Sequence, residues 1–205
     1  MSSELLEFRP GCARPVRLRF ELVTAVPSIS SECLGWAATA RYTRTVDDGA
    51  GILMLSAETG TRYYIRHRGD RLEFSEATAG DEPRTVLFAA TTVVLERCLY
   101  AVMGDEIRED IGLPYLELPS SASEVAKSYQ LSDMERGYRI LHRIGHGPVA
   151  AAPDPQLSLV ALVPLSHLLG LTVAAVKRTY LSEHGAPLLA NGRYTDTGGE
   201  TPAFD

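Results

Sequence analysis

AATTVVLERCLYAVMGDEIREDIGLPYLELP, residues Ala89 to Pro119, is the stretch on which the fold turns. Val94, Leu95, Cys98, Leu99, Val102 and Met103 recur at three- and four-residue spacing, so its first part predicts a helix with one broad apolar face. Thr91 or Thr92 caps the start, Gly104 marks a weak point near the end, and an acidic turn follows. Leu113-Pro114 blocks further helix, because proline has no amide hydrogen to donate. An apolar face of this width has to be buried, and the segments before it offer the partner.

From Arg41 to Phe88 the hydrophobic period drops to two. Tyr42–Val46, Ile52–Ala57, Thr61–Arg68, Arg71–Ala77 and Thr85–Phe88 read as strands. Asp47-Asp48-Gly49-Ala50-Gly51, Glu58-Thr59-Gly60, Gly69-Asp70 and Gly80-Asp81-Glu82-Pro83 supply turn chemistry between them. Connections this short imply an antiparallel meander, across which the helix packs. Further upstream, Val16, Leu18, Phe20 and Leu22 alternate with Arg17, Arg19 and Glu21, which predicts a half-buried strand over Val16–Val23. Ser28 or Ser30 then caps a helix of about three turns with Ile29, Cys33, Trp36 or Ala37, and Ala40 on its apolar stripe.

After Pro119 the pattern is weaker, and Glu124–Gln130 is ambiguous. Gly137–Arg143 and Val149–Ala152 read as a second hairpin around Gly145-His146-Gly147-Pro148. Leu157–Leu169 reads as mostly helical despite Pro164, with a strand up to Val163 as the competing reading. Thr172 caps a last helix that turns Val173, Val176, Tyr180 and Leu181 toward the core and stops by Gly185. The expected fold class is α+β: an antiparallel meander sheet packed against helices in a single domain. Residues 1–27 form an N-terminal segment with a strand, 28–190 the α+β domain, and 191–205 a flexible tail.

Composition narrows the function classes. The chain has 205 residues, 45% hydrophobic and 22% charged, with a formal net charge of −6. That balance disfavours nucleic acid and anionic membranes as partners. Of the 20 basic side chains only Lys127 and Lys177 are lysines, which leaves a surface rich in planar, bidentate arginine donors. Cys12, Cys33 and Cys98 lack C-x-x-C spacing and suit free thiols in a reducing cytosol. The Met-Ser-Ser-Glu start lacks a signal-peptide pattern, and no apolar run approaches the ~20 residues that span a bilayer.

No catalytic constellation emerges. His142 and His146 have helical zinc spacing, but Gly145 and Gly147 argue for a turn there. Gly49-Ala-Gly51 and Gly145-His-Gly147 lack the third glycine of a nucleotide-binding loop. No metal and no cofactor is expected. Asp105, Glu106, Glu109 and Asp110 form either a solvated helix end, with Arg108 offsetting part of their repulsion, or a polar surface for a basic partner, with acid–base chemistry a distant third. In Thr61–Arg68, alternation puts Arg62, Tyr64, Arg66 and Arg68 on one face, opposite Tyr63, Ile65 and His67. That row suits an exposed sheet face paired with Glu73, a protein-binding hot spot or a single-stranded nucleic-acid platform.

Several short segments then carry a resemblance. Trp36, Arg62-Tyr63-Tyr64-Ile65, Leu95–Tyr100, Gly104-Asp-Glu-Ile-Arg108 and Gly112-Leu-Pro-Tyr-Leu-Glu-Leu-Pro119 occur in that order. Gly137-Tyr138-Arg139, Leu165-Ser-His167-Leu168, and Tyr180-Leu181 with Gly185-Ala-Pro-Leu188 follow. Over roughly residues 30 to 190 the chain resembles the antitoxin family of the tuberculosis necrotizing toxin, immunity proteins of polymorphic-toxin systems. Gly104–Pro119 is the most specific part. The resemblance implies a cytosolic, non-catalytic antitoxin that binds a secreted NAD-glycohydrolase toxin and covers its NAD site. The alternative is a non-catalytic adaptor or ligand-sensing domain that binds another protein. Exposure and residue type nominate three contact patches: the loop with Asp47, Asp48 and Gly49; the strip Arg62, Tyr64 and Arg66; and the acidic group Asp105, Glu106 and Glu109.

Overall fold

The computed structural model describes residues 25–195. The strand expected over residues 16–23, and residues 196–205 of the expected tail, lie outside it. Ser30 is the cap of helix α1 (Ser31–Thr39), its Oγ accepting from the Cys33 amide at 3.1 Å. Strands β1 (Tyr42–Asp47), β2 (Ile52–Ala57), β3 (Arg62–Arg68), β4 (Arg71–Ala77) and β5 (Arg84–Ala89) follow as a meander. Gly69-Asp70 makes the two-residue turn, with Arg68 paired to Arg71 and Gly69 at φ +63°. Helix α2 (Thr92–Asp110) comes next, capped by Thr91. Strands β6 (Tyr129–Leu131), β7 (Tyr138–Arg143) and β8 (Gly147–Pro153), helices α3 (Leu157–Leu168) and α4 (Val173–Leu181), and the small pair β9 (Leu189–Ala190) and β10 (Arg193–Tyr194) complete the described chain.

The meander and the later hairpin join in one eight-stranded antiparallel sheet of order β1-β2-β3-β4-β5-β8-β7-β6. The junction is β5 against β8, where Phe88 pairs with Ala151 and Ala89 with Ala150. Alternation gives this sheet two distinct faces. Leu53, Leu55, Tyr63, Ile65, Leu72, Phe74, Leu87, Leu141, Ala150 and Ala152 lie on the inner face. They share one core with Cys33 and Trp36 of α1, Leu95, Leu99 and Met103 of α2, Leu162 and Leu165 of α3, and Val176 and Tyr180 of α4. Ile52, Met54, Tyr64, Phe88, Tyr138 and Ile140 lie on the outer face and belong to no part of that core.

Two expectations change. Helix α2 does not weaken at Gly104: it runs through it to Asp110, so the acidic residues form its last turns and not a turn of their own. The reason is a close contact, because a Cβ at Gly104 would lie 2.3 Å from Cγ of Tyr180. The missing side chain lets α4 seat its buried tyrosine against α2, and that burial outweighs the ~1 kcal/mol a glycine costs inside a helix. Leu181, expected to face the core, is 49% exposed, because its neighbour Tyr180 takes the inward position. Elsewhere Leu157–Leu168 is one helix with Pro164 buried inside it, which removes the strand reading.

The end of the described chain is anchored. The Tyr194 ring stacks on His167 with centroids 3.6 Å apart, and its hydroxyl donates to the Pro119 carbonyl at 2.7 Å.

Candidate interaction surface

The hairpin loop after β1 is braced by Asp47, whose Oδ1 accepts from the Ala50 amide at 2.9 Å. Asp48 and Gly49 stand exposed at its tip. Asp47 pairs with Ile52, and Ile52 pairs with Arg66. Paired residues point to the same side, so the loop base and the arginine strip lie on the outer face, two strands or roughly 10 Å apart. The same row continues through Glu73, Phe88, Ala151 and Ile140. Two of the three patches nominated from sequence therefore form one continuous surface.

The centre of that surface is Glu73, only 4% exposed although it sits on the face the core does not use. Its Oε2 accepts from Nε of Arg66 and from Nε of Arg68, both at 2.7 Å. Its Oε1 accepts from the Thr85 hydroxyl at 2.8 Å and the Ser75 hydroxyl at 3.4 Å. Burial pushes this carboxyl up, but the bonds from Arg66, Arg68 and Thr85 outweigh it and hold the group at about 2. Cross-strand pairing with Glu73 was legible in the sequence. That both arginines converge on one oxygen was not.

The third patch lies on the other side of the sheet. Asp105, Glu106 and Glu109, with Gly112, Leu113, Pro114 and Tyr115, line an open cleft of about 560 Å³. Glu106 is turned inward, where it accepts from the hydroxyls of Tyr42 and, at 3.3 Å, Tyr63. Burial raises its carboxyl despite those two bonds. Burial, helped by the charge of Glu106, also pushes Asp105 up to about 6 against the pull of Arg108. Tyr115 is 72% exposed at the rim.

Sequence reasoning missed Arg108, which it placed among the acidic residues as a surface counter-charge. The side chain is 1% exposed. Its Nε and Nη2 donate to the Pro114 carbonyl at 3.0 and 2.7 Å. Nη1 donates to Tyr180 and Ser182 at 2.9 and 2.6 Å, and Nη2 also to Glu183 at 3.0 Å. A cation at the carbonyl end of two helices is electrostatically well placed. One side chain thus ties the end of α2, the end of α4 and the Leu113-Pro114 turn together. The sequence signal was available in hindsight: Arg108 falls one turn after Gly104 on the apolar side of the helix.

Among the described residues, no group of three His, Cys, Asp or Glu is placed to hold a metal ion, and no helix is long and apolar enough to cross a membrane. Cys33 is buried and Cys98 half-buried, both are free, and burial pushes both thiols up to about 12.

Residues 36–188 match the family model described as immunity protein 61. The chain belongs to that family. It is also 29% identical over 104 residues to two curated proteins, the "Immunity factor for TNT" of Mycobacterium tuberculosis and its homologue in Mycobacterium bovis. The match takes in 49% of this immunity protein and spans 56%, about half, of the length of each relative. The solved structure of Rv3902c from M. tuberculosis shares the fold, with a TM-score of 0.68 at 22% identity over 82% of this chain and 95% of that one.

Proposed function

We propose that this immunity protein binds an NAD-hydrolysing toxin in the cytosol and silences it by covering the toxin's active site, without catalysis of its own. The observation that carries the proposal is the family match over residues 36–188. The relatives named as immunity factors for TNT support the toxin class. Steric blockade needs a stiff platform and a projecting element. An antiparallel sheet backed by four helices is the platform, and the hairpin loop at Asp47–Gly51 is the projection. The contact residues in this proposal are Asp47, Asp48, Gly49, Arg62, Tyr64 and Arg66 on the outer face. Asp105, Glu106 and Glu109 form a separate patch at the end of α2. An interface of ~800 Å² per partner with a few anchors suffices for tight binding.

The test is co-expression with the cognate toxin, reading cell survival and NAD content, followed by NAD hydrolysis with purified proteins. One equivalent of the immunity protein is expected to abolish hydrolysis. Undiminished NAD loss at saturating immunity protein would refute the proposal. Binding without inhibition would mark an adaptor. Charge reversal at each patch then ranks the contact residues.

A further inference from the structure

We infer that Arg66 and Arg68, locked side by side by Glu73, are a preset receptor for a carboxylate side chain presented by the protein partner. The inference rests on the reading above for the partner's being a toxin, but not for the receptor itself. Two arginines spaced i and i+2 on one strand repel each other and have long, mobile side chains. Here a single oxygen of Glu73 fixes both through their Nε atoms. That carboxylate is the floor: its side chain is 6% exposed, whereas those of Arg66 and Arg68 are 35% and 54% exposed above it. Thr85 and Ser75 occupy its other oxygen, so the floor is saturated.

Each guanidinium is thus held by one nitrogen. The two Nη groups of each arginine make no hydrogen bond among the described residues. Two cations share one anion, which leaves the triad with a charge of +1 and with donors on side chains that are 35% and 54% exposed. A carboxylate fits a guanidinium fork in geometry as well as charge. Because Glu73 has already immobilised both side chains, their ordering entropy is not lost on binding.

The surroundings identify the carrier of that carboxylate. Ile52 lies in the row on one side of the pair, and Phe88 and Ile140 on the other. Tyr138 packs edge-on to Phe88 with centroids 5.7 Å apart. The chain's net charge of −6 works against a polynucleotide, and half-buried aliphatic and aromatic side chains beside an arginine pair are the make-up of a protein interface. The occupant is therefore an Asp or Glu on a folded protein surface.

Removing the arginines alone would strand Glu73, so the test uses the triple substitution R66M/R68M/E73M, which deletes the triad at similar volume. Against the cognate toxin, calorimetry is expected to show affinity lowered roughly 100-fold, with a shallower salt dependence. One toxin carboxylate should lose its effect on affinity in the triple-substituted background. A natively folded triple variant that binds within threefold of wild type overturns the inference and leaves the toxin reading standing. If wild type binds no toxin, that reading fails, and a second measurement decides the receptor by itself. Acetate is titrated into the isolated protein, with chloride at equal ionic strength as the control, while the arginine side-chain ¹⁵N resonances are followed. Arg66 and Arg68 are expected to shift with acetate before Arg62 and Arg71 do. Equal shifts at all four, or none beyond chloride, overturn it.

Discussion

The same substitution should act with opposite sign at two helical glycines. Gly35 sits in α1, exposed, and a Cβ there meets nothing within 4 Å. Gly35→Ala should therefore stabilise the protein by about 0.5–1 kcal/mol through helix propensity alone. At Gly104 the same gain is available, but the Cβ would lie 2.3, 2.6 and 2.8 Å from three ring carbons of Tyr180. The ring has to retreat by about 1 Å to reach ordinary contact distance. It is fully buried, and its own carbonyl is pinned to Arg108 at 2.9 Å, so α4 resists sliding away. Overpacking of this kind costs about 1–3 kcal/mol, and the immobile ring puts Gly104 at the upper end. After the propensity gain, Gly104→Ala should lose about 2 kcal/mol, which for a chain of this size lowers Tm by roughly 4–8 °C. Chemical and thermal denaturation of both variants measure this directly. A Gly104→Ala protein as stable as wild type would show that α2 and α4 do not meet through this glycine.

Arg108→Met should cost about 3–5 kcal/mol, because four backbone carbonyls lose their donor in a buried site; urea denaturation reads the loss, and Arg108→Lys should recover only part of it. Glu73 titrates at about 2 against an ordinary 4.5, so its share of stability is present above that ordinary value and lost as pH falls from about 4.5 toward 2. A pH series comparing wild type with Glu73→Gln should show a gap of about 1–2 kcal/mol at pH 7 that closes in acid, the size being discounted for solvent screening. Asp105 runs the other way: its folded value of about 6 exceeds the ordinary 3.8, so stability falls as pH rises between them. With Glu106 and Arg108 on its own helix and Tyr115 and Tyr180 facing it from elsewhere, Asp105→Asn should be about 1–2 kcal/mol more stable than wild type at pH 7 and no more stable below about pH 4. Trp36→Phe removes the indole donor to the Tyr100 carbonyl at 3.1 Å and part of the α1–α2 contact, with an expected loss of about 1–2 kcal/mol in the same denaturation assay.

Much of the fold is local chemistry, and that part was legible. Ile52–Ala57 and Arg71–Ala77 carry period-two patterns closed by glycine turns, and they are strands with those limits. Ser30, Thr91 and Thr172 cap helices because a short side-chain oxygen reaches an amide three residues on. What escaped depends on groups distant in sequence. Glycine at position 104 reads as weakness until Tyr180 arrives from 76 residues away. Arg108 reads as a surface charge until the ends of two helices converge on it. For the contact patches, alternation sorted Arg62, Tyr64 and Arg66 onto one face, but only the register shows that Asp47 shares that face, and only the packing of α2 on the inner face sets Asp105 and Glu109 apart from it.

The two faces of the sheet live under different constraints. On the inner face, Leu55, Ile65, Phe74 and Leu87 are fully buried, and each truncation there leaves a cavity costing about 2–5 kcal/mol. Among the described residues no helix on the outer face depends on Ile52, Met54, Tyr64 or Arg62, so exchanging them alters the outer surface while leaving the described core intact. Glu73 is the exception. It is buried on the free face and is satisfied only while Arg66, Arg68 and Thr85 surround it. An immunity protein that must follow a changing toxin would vary the rim of this face first. It could give up the Glu73 triad only as a unit, because losing either arginine alone leaves a buried carboxylate short of its counter-charge. The fold shared with Rv3902c at 22% identity is what such a division allows, since a core tolerates substitutions that keep volume and pattern.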